Sequence, residues 1–195
     1  MSSIMQTYTG RAFNIDWPKA EQVHIDDILY PLANLNRFNG HTRFPWSVLQ
    51  HSLLCMRLAE QIFPGDNAAR LHALMHDFHE AYVGDITTPQ QFALRLRSSE
   101  PFSGMSMVSL TVLIDRAIYG HLGFERPEMR HEQQVKHIDA VALATERKWC
   151  LNPAIEPIDW GEEVEPAEED LISEVRGVDN IVEVVRSEID AMEAA

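Results

Sequence analysis

His76 and Asp77 stand side by side in a helix-like stretch whose preceding residues are apolar. The carboxylate of Glu80 follows one helical turn after His76. A buried carboxylate is costly unless it is paired or bound to a metal. One His-Asp pair supplies too few ligands to hold an ion, so a metal site would need further ligands from elsewhere in the chain.

Two other residues could complete such a site. Helical spacing places His51 on the same stripe as Leu54 and Leu58, which is expected to face inward. Asp139 lies in the otherwise apolar stretch 138–143. Two imidazoles and two carboxylates from three helices would form a mixed nitrogen and oxygen site, which suits Mn, Co, Fe, Ni or Zn. Octahedral geometry would leave positions for water and a phosphate oxygen.

Each of these residues also has an ordinary structural explanation. His51 alone could be a hydrogen-bonded core histidine, and Asp139 could be a core carboxylate paired with a Lys or Arg. His72 and His76 are four residues apart and could form a small surface metal site by themselves. No histidine follows His79-Glu80 at the spacing of zinc proteases, which argues against that class.

The negative charge of the chain is concentrated near its C-terminus. The formal net charge is −14, from 30 acidic and 16 basic residues, and residues 151–195 hold 14 of the acidic and two of the basic ones. The other residues are therefore nearly neutral. This distribution argues against binding of long nucleic acid, which needs a basic surface. It allows a small phosphorylated substrate, which needs only one or two well-placed cations.

Cysteine usage and hydropathy favour a cytoplasmic protein with no membrane partner. Cys55 and Cys150 form neither a disulfide framework nor a metal-binding spacing, so both are predicted to be small core residues. No apolar run approaches the roughly 18 residues of a membrane span. Residues 1–16 lack a signal-peptide pattern.

Helical periodicity predicts an all-α fold, with a short N-terminal hairpin around Thr9-Gly10. Pro31 is expected to kink or delay the first helix, and Gly120 is expected to end the helix before it. Residues 99–106 are predicted to be a loop. The predicted helices cover residues 25–38, 47–63, 67–83, 107–119 and 127–150, with another beginning near 90 and a last one beginning at 167 and interrupted at 177–179.

The acidic C-terminal segment 151–195 is predicted to pack on a core of about residues 7–150, so that 1–195 form a single domain. An apolar stripe would make this contact, and the same stripe could instead be buried in a homodimer. The stripe consists of Leu171, Ile172, Val175, Ile181, Val184, Val185 and Ile189.

The order His51, His76-Asp77 and Asp139 resembles the HD-domain metal-dependent phosphohydrolase superfamily. Longer strings resemble its YfbR/YfdR-like branch, which contains 5′-deoxynucleotidases and phage or prophage relatives. The resemblance covers roughly residues 7–150 and implies an HD-domain helical bundle. The strings are Arg37-Phe38-Asn39-Gly40-His41, 47–52, 76–82, 84–89 and 144–147.

The resemblance also implies roles for several motif positions. Glu80 would act as general base or proton shuttle, Arg37 would bind the substrate phosphate, and Asp85 would meet the sugar hydroxyl. Other substrate contacts would come from Phe38, His41 and Thr88. One divalent transition metal (Mn, Co, Fe, Ni or Zn) would be held by His51, His76, Asp77 and Asp139.

The function expected from this resemblance is release of phosphate from deoxynucleoside 5′-monophosphates, a small nucleotide substrate. A deoxynucleoside triphosphate triphosphohydrolase, similar to a dATPase, is an alternative for which Arg11, Lys19 and Arg43 could supply extra cations. Hydrolysis of a cyclic nucleotide or alarmone fits the string 84–89 less well. A non-catalytic, metal-stabilised nucleotide-binding or scaffold protein is the alternative from another class. The resemblance also makes a homodimer plausible.

Overall fold

The protein folds as an all-α structure with one short N-terminal hairpin, as predicted. Strands β1 (Ile4–Gln6) and β2 (Ala12–Asn14) pair antiparallel, with Met5 opposite Phe13. The side chain of Phe13 is completely buried, so it anchors the hairpin in the helical core. The computed structural model describes residues 3–97, 107–161 and 163–194.

The core is organised around the second helix, α2, which contacts α1, α3, α7, α8 and α9. Ten of the 15 residues of α2 are buried, because other helices surround it. No helix in the described part of the chain is long and apolar enough to cross a lipid bilayer. In chain order the helices are α1 (Asp26–Asn34), α2 (Val48–Ile62), α3 (Asn67–Met75), α4 (Glu80–Val83), α5 (Thr88–Arg97), α6 (Met107–Leu122), α7 (Met129–Trp149), α8 (Glu169–Arg176) and α9 (Ile181–Glu193).

A capping box determines where α2 begins. The Ser47 side chain accepts a hydrogen bond from the Gln50 backbone N–H at 3.1 Å, and the Gln50 side chain accepts one from the Ser47 N–H at 2.9 Å. The predicted start of this helix is therefore confirmed. His51 follows in the first turn and is completely buried, which confirms its inward orientation.

The prediction of one continuous helix over residues 67–83 is wrong. Helix α3 ends at Met75, and a tight turn leads to the separate helix α4. Backbone hydrogen bonds in this turn run from Phe78 to Met75 and from Glu80 to Asp77, at 3.0 Å each. These bonds span three residues instead of four, so they tighten the chain relative to an α-helix. The relative positions of His76, Asp77 and Glu80 are therefore set by a tight turn and not by an α-helix.

The first predicted helix, 25–38, is also too long, because α1 ends at Asn34. Helix α1 begins at Asp26 and contains Pro31, so the predicted delay of its start to the proline does not occur. A 3₁₀ turn follows, in which Phe38 and Asn39 adopt left-handed φ angles of 54° and 52°. Such angles are unfavourable for residues with a Cβ and persist only where the surrounding structure holds them.

Helix α6 continues past Gly120, so the predicted helix end at that residue is wrong. The helix ends at Leu122, and Gly123 follows with a φ of 73°. A Cβ atom on Gly120 would lie 3.7 Å from the Ala20 side chain, an ordinary van der Waals distance, so the helix continues through this residue without requiring a glycine. The predicted loop at 99–106 lies outside the described residues.

Helices α8 and α9 pack against α2. Val175 and Ile189 of the apolar stripe are buried in this contact. Ion pairs add to it, because Arg57 of α2 lies 3.4 Å from Glu174 and 3.3 Å from Glu188. Acidic residues of this segment therefore partly neutralise arginines of the preceding helices.

Candidate metal centre

The four predicted metal ligands meet at one point, where α2, the end of α3 and α7 converge. His51 Nε2 lies 3.3 Å from His76 Nε2, 3.5 Å from Asp77 Oδ2 and 3.4 Å from Asp139 Oδ1. His76 Nε2 lies 3.2 Å from Asp77 Oδ2 and 3.9 Å from Asp139 Oδ1. Donor atoms about 2.0–2.2 Å from one ion lie about 3.0–3.5 Å apart. The spacing of these four side chains, the metal cluster, is therefore compatible with a shared cation.

Both imidazoles of the metal cluster present Nε2 to the other ligands, because Nδ1 is engaged elsewhere. His76 Nδ1 donates to the Ala73 carbonyl oxygen at 2.8 Å. His51 Nδ1 donates to the carboxylate of Glu146 at 2.9 Å. Metal-binding histidines commonly hold their second nitrogen in this way, which fixes the tautomer and the ring orientation.

The members of the metal cluster shift one another's pKa values. Burial opposes a charge on His76, but the adjacent Asp77 carboxylate raises the pKa of His76 to about 10. Burial likewise opposes a charge on Asp77, but His76 and His51 hold the pKa of this carboxyl well below its usual range. The cluster therefore favours positive charge between its carboxylates, as protons or as a metal cation.

Glu146 had no predicted role, yet it lies at the centre of the buried network behind the metal cluster. Its Oε1 atom accepts from Trp46 Nε1 at 2.7 Å as well as from His51, and its Oε2 atom lies 3.1 Å from Arg37. Burial opposes ionisation of Glu146, but Arg37 and His51 lower its pKa. Glu146 follows Asp139 by seven residues, which places both side chains on one face of α7. This spacing is a signal from which a role for Glu146 could have been predicted.

Cys55 is a second residue whose contribution the spacing rules missed. It is completely buried, as predicted for a core residue. Its Sγ atom, however, lies 3.5 Å from His51 Nε2. The donor atoms of His51, Cys55, His76 and Asp139 all lie within 4.8 Å of one another. Cys55 follows His51 by four residues, so both occupy one face of α2.

Glu80 lies beside the metal cluster with an unused oxygen. Its Oε2 atom is buried and has no hydrogen-bond partner among the described residues. Burial, together with Asp77 and Asp85, raises the pKa of Glu80 to about 9. Buried polar atoms are rarely left without a partner, so this oxygen points to a water or ligand at the site.

Comparison with known proteins identifies relatives of the chain. YfdR of Escherichia coli (strain K12) is 34% identical over 146 residues, which are 75% of this chain and 71% of YfdR. The chain belongs to the YfdR family. A protein of Rhodobacter capsulatus is 37% identical over 89 residues, which are 44% of this chain and 45% of that protein. Both relatives are named as uncharacterized proteins, and no family model matches the chain.

In this YfdR-family protein, Arg37 and Asp85 lie on the side of the metal cluster near Glu80. Arg37 uses Nε and one terminal nitrogen on the Glu146 carboxylate, and its other terminal nitrogen lies 3.6 Å from Asp77. Burial opposes its charge, but these carboxylates raise the pKa of Arg37. Asp85 is half-buried, and burial raises its pKa.

The remaining predicted substrate residues of this YfdR-family protein are not gathered at the metal cluster. Phe38 and His41 line a cleft of about 740 Å³, the Phe38 cleft, together with residues between 144 and 166. His76 and Asp139 line another cavity of about 400 Å³, between α3, α6 and α7. Thr88 is exposed at the start of α5.

Proposed function

We propose that this chain is a metal-dependent phosphohydrolase of the HD-domain superfamily that releases phosphate from deoxynucleoside 5′-monophosphates. The observation that carries the proposal is the convergence of two imidazoles and two carboxylates, from positions 51, 76, 77 and 139, in which His51 and His76 lie 3.2–3.9 Å from each other and from the two carboxylates. Membership of the YfdR family is consistent with the sequence resemblance on which the proposal also depends.

The residues present fit a divalent transition metal. The donor set combines nitrogen and oxygen atoms, and Glu146 and the Ala73 carbonyl orient the two imidazoles. The ligands would be His51, His76, Asp77 and Asp139. When bound, such an ion activates water and polarises a phosphate oxygen.

Arg37 would bind the phosphate beside these ligands. Because Glu146 occupies Nε and one terminal nitrogen, the other terminal nitrogen keeps its N–H donors on the side of Asp77. A guanidinium there would neutralise charge that develops on the phosphate oxygens in the transition state. The ion pair with Glu146 holds the guanidinium in place before substrate binds.

Glu80 would move the proton that the reaction requires. Its free Oε2 atom is available to hold a water near the metal cluster and to take or give a proton. Asp85 would meet the sugar hydroxyl, and Phe38 and His41 would contact the nucleotide at the edge of the Phe38 cleft. In these roles, the chain orients the substrate, neutralises its charge and moves a proton.

One observation favours triphosphate hydrolysis as a second candidate function. The Phe38 cleft is also lined by Arg147 and Lys148, two cationic side chains of α7. These cations in the Phe38 cleft could accommodate the β- and γ-phosphates of a nucleoside triphosphate. The products distinguish the candidates, because a monophosphatase releases phosphate and a triphosphohydrolase releases triphosphate.

The test is a panel of deoxynucleoside and ribonucleoside mono- and triphosphates, incubated with the full chain and added Mn²⁺ or Co²⁺. We expect phosphate from deoxynucleoside monophosphates, and loss of both metal and activity in Asp77→Ala. Asp159→Asn, an exposed aspartate in the 151–166 loop, is the matched control and should behave as wild type. Metal binding without turnover of any nucleotide would contradict the proposal and favour the non-catalytic alternative.

A further inference from the structure

The thiol of Cys55 lies among polar donor atoms. Its Sγ atom is 3.5 Å from Nε2 and 3.9 Å from Nδ1 of His51. Cys55 also belongs to a group of four residues, with His51, His76 and Asp139, whose donor atoms lie within 4.8 Å of one another. A cysteine that served only to fill space would not need to share a site with two imidazoles and a carboxylate.

The separation of these donors fits coordination of one ion by sulfur and nitrogen. In a tetrahedral site, a nitrogen about 2.0–2.1 Å from the metal and a sulfur about 2.3 Å from it lie about 3.5 Å apart. The observed distance from Cys55 Sγ to His51 Nε2 is 3.5 Å, and that from His51 Nε2 to His76 Nε2 is 3.3 Å. The cysteine therefore needs no large movement to become a ligand.

We propose that the Cys55 thiolate is a further ligand of the metal ion bound by His51, His76, Asp77 and Asp139. The inference rests on the metal centre of the proposed function and changes its chemistry. Binding breaks the S–H bond heterolytically, releases one proton to solvent and forms the sulfur–metal bond, with no oxidation or reduction. Because a thiolate is a soft ligand, it makes the site prefer Zn²⁺ over Mn²⁺ more strongly than a site of only nitrogen and oxygen donors would.

The experiment uses the full chain loaded with Co²⁺, whose bonds to thiolate produce a sulfur-to-metal charge-transfer band in the near ultraviolet. The chain has two cysteines, so Cys150→Ala leaves Cys55 as its only thiol. We expect the band in wild type and in Cys150→Ala, and its loss in Cys55→Ser. The preference for Zn²⁺ over Mn²⁺ should also decrease in Cys55→Ser.

The outcomes separate this inference from the phosphohydrolase proposal. A band in Cys150→Ala supports ligation by Cys55 even if Cys55→Ser fails to fold. Stoichiometric cobalt without a band in wild type would overturn ligation by Cys55 and leave the other ligands in place. A band in a protein that hydrolyses no nucleotide would support Cys55 and overturn the proposed activity. Absence of cobalt binding would overturn both.

Discussion

The carboxylate of Glu146 accepts a hydrogen bond from Nδ1 of His51 at 2.9 Å, and the two residues are 95 positions apart in the chain. Because the other oxygen of Glu146 binds Arg37, one buried carboxylate holds both a predicted metal ligand and the predicted phosphate-binding residue. Glu146 is thus a positioning residue, which acts on the site through two other side chains.

Replacing Glu146 with glutamine should weaken metal binding by about 10–100-fold, the usual cost of losing such a supporting partner. The amide can still accept from His51, but it cannot balance the charge of Arg37. Isothermal titration with Zn²⁺ or Mn²⁺ measures the change. Glu169→Gln, at an exposed position in α8, serves as the matched control. Equal affinities in wild type and Glu146→Gln would contradict the positioning role.

Glu80→Gln should separate metal binding from turnover. Because Glu80 is proposed to move a proton and is not a predicted ligand, the variant should bind metal as wild type does. Its rate of phosphate release should fall by about 10²–10⁴-fold. Metal content and turnover are measured on the same preparation. A variant that keeps the wild-type rate would remove Glu80 from the mechanism.

Metal binding should stabilise the fold, because the ligands lie on elements that unfolding would separate. At a free ion concentration of 100 times Kd, the free energy of unfolding should rise by about 2.7 kcal/mol. For a chain of this size, the melting temperature should rise by about 5–10 °C. Calorimetry with added Zn²⁺ and then a chelator checks this shift. Asp139→Asn should show a much smaller shift, and an equal one would place the ion elsewhere.

His72 should make the fold sensitive to mild acid. Burial, with nearby His131, lowers the pKa of His72 to about 4, although Asp66 opposes the shift. Its Nδ1 atom lies 3.2 Å from the Tyr119 hydroxyl. The folded protein keeps this imidazole neutral, whereas the unfolded chain binds a proton below about pH 6.5. Its contribution to stability is therefore present above pH 6.5 and is lost as pH falls towards 4.

Urea unfolding of wild type and His72→Gln at pH 7 and pH 5 measures this contribution. Carboxylates titrate in both proteins, so the difference between them reports on His72. Wild type should lose about 1–2 kcal/mol more of its free energy of unfolding than the variant does. Equal losses would show that His72 does not titrate abnormally.

Ile189→Ala should test whether the acidic C-terminal segment belongs to the folding unit. Ile189 is 2% exposed, on a helix that contacts α1, α2 and α3. Its truncation should lower the free energy of unfolding by about 2–4 kcal/mol. Ser187→Ala, at an exposed position of the same helix, should change it by less than about 0.5 kcal/mol. An unchanged unfolding midpoint in Ile189→Ala would mean that α9 unfolds separately.

Local patterns were sufficient to predict the helical class and several helix ends. Ser47 and Gln50 place the start of α2 through contacts within one turn, and the stripe that contains His51 faces inward because its neighbours three and four residues away are apolar. The break after Met75 was not predicted, because no proline or glycine marks it. The apolar pattern continues through the turn.

The sequence by itself determined four residues that could bind a metal, at positions 51, 76, 77 and 139, because that property depends on residue type and on spacing within a few turns. Only the tertiary structure decided that Glu146 stands behind His51, that Cys55 joins the donors, and that Phe38 lines a separate cleft. These relationships depend on how α2 and α7 pack and on how the chain turns between them. No short-range pattern specifies the distance between side chains on different helices.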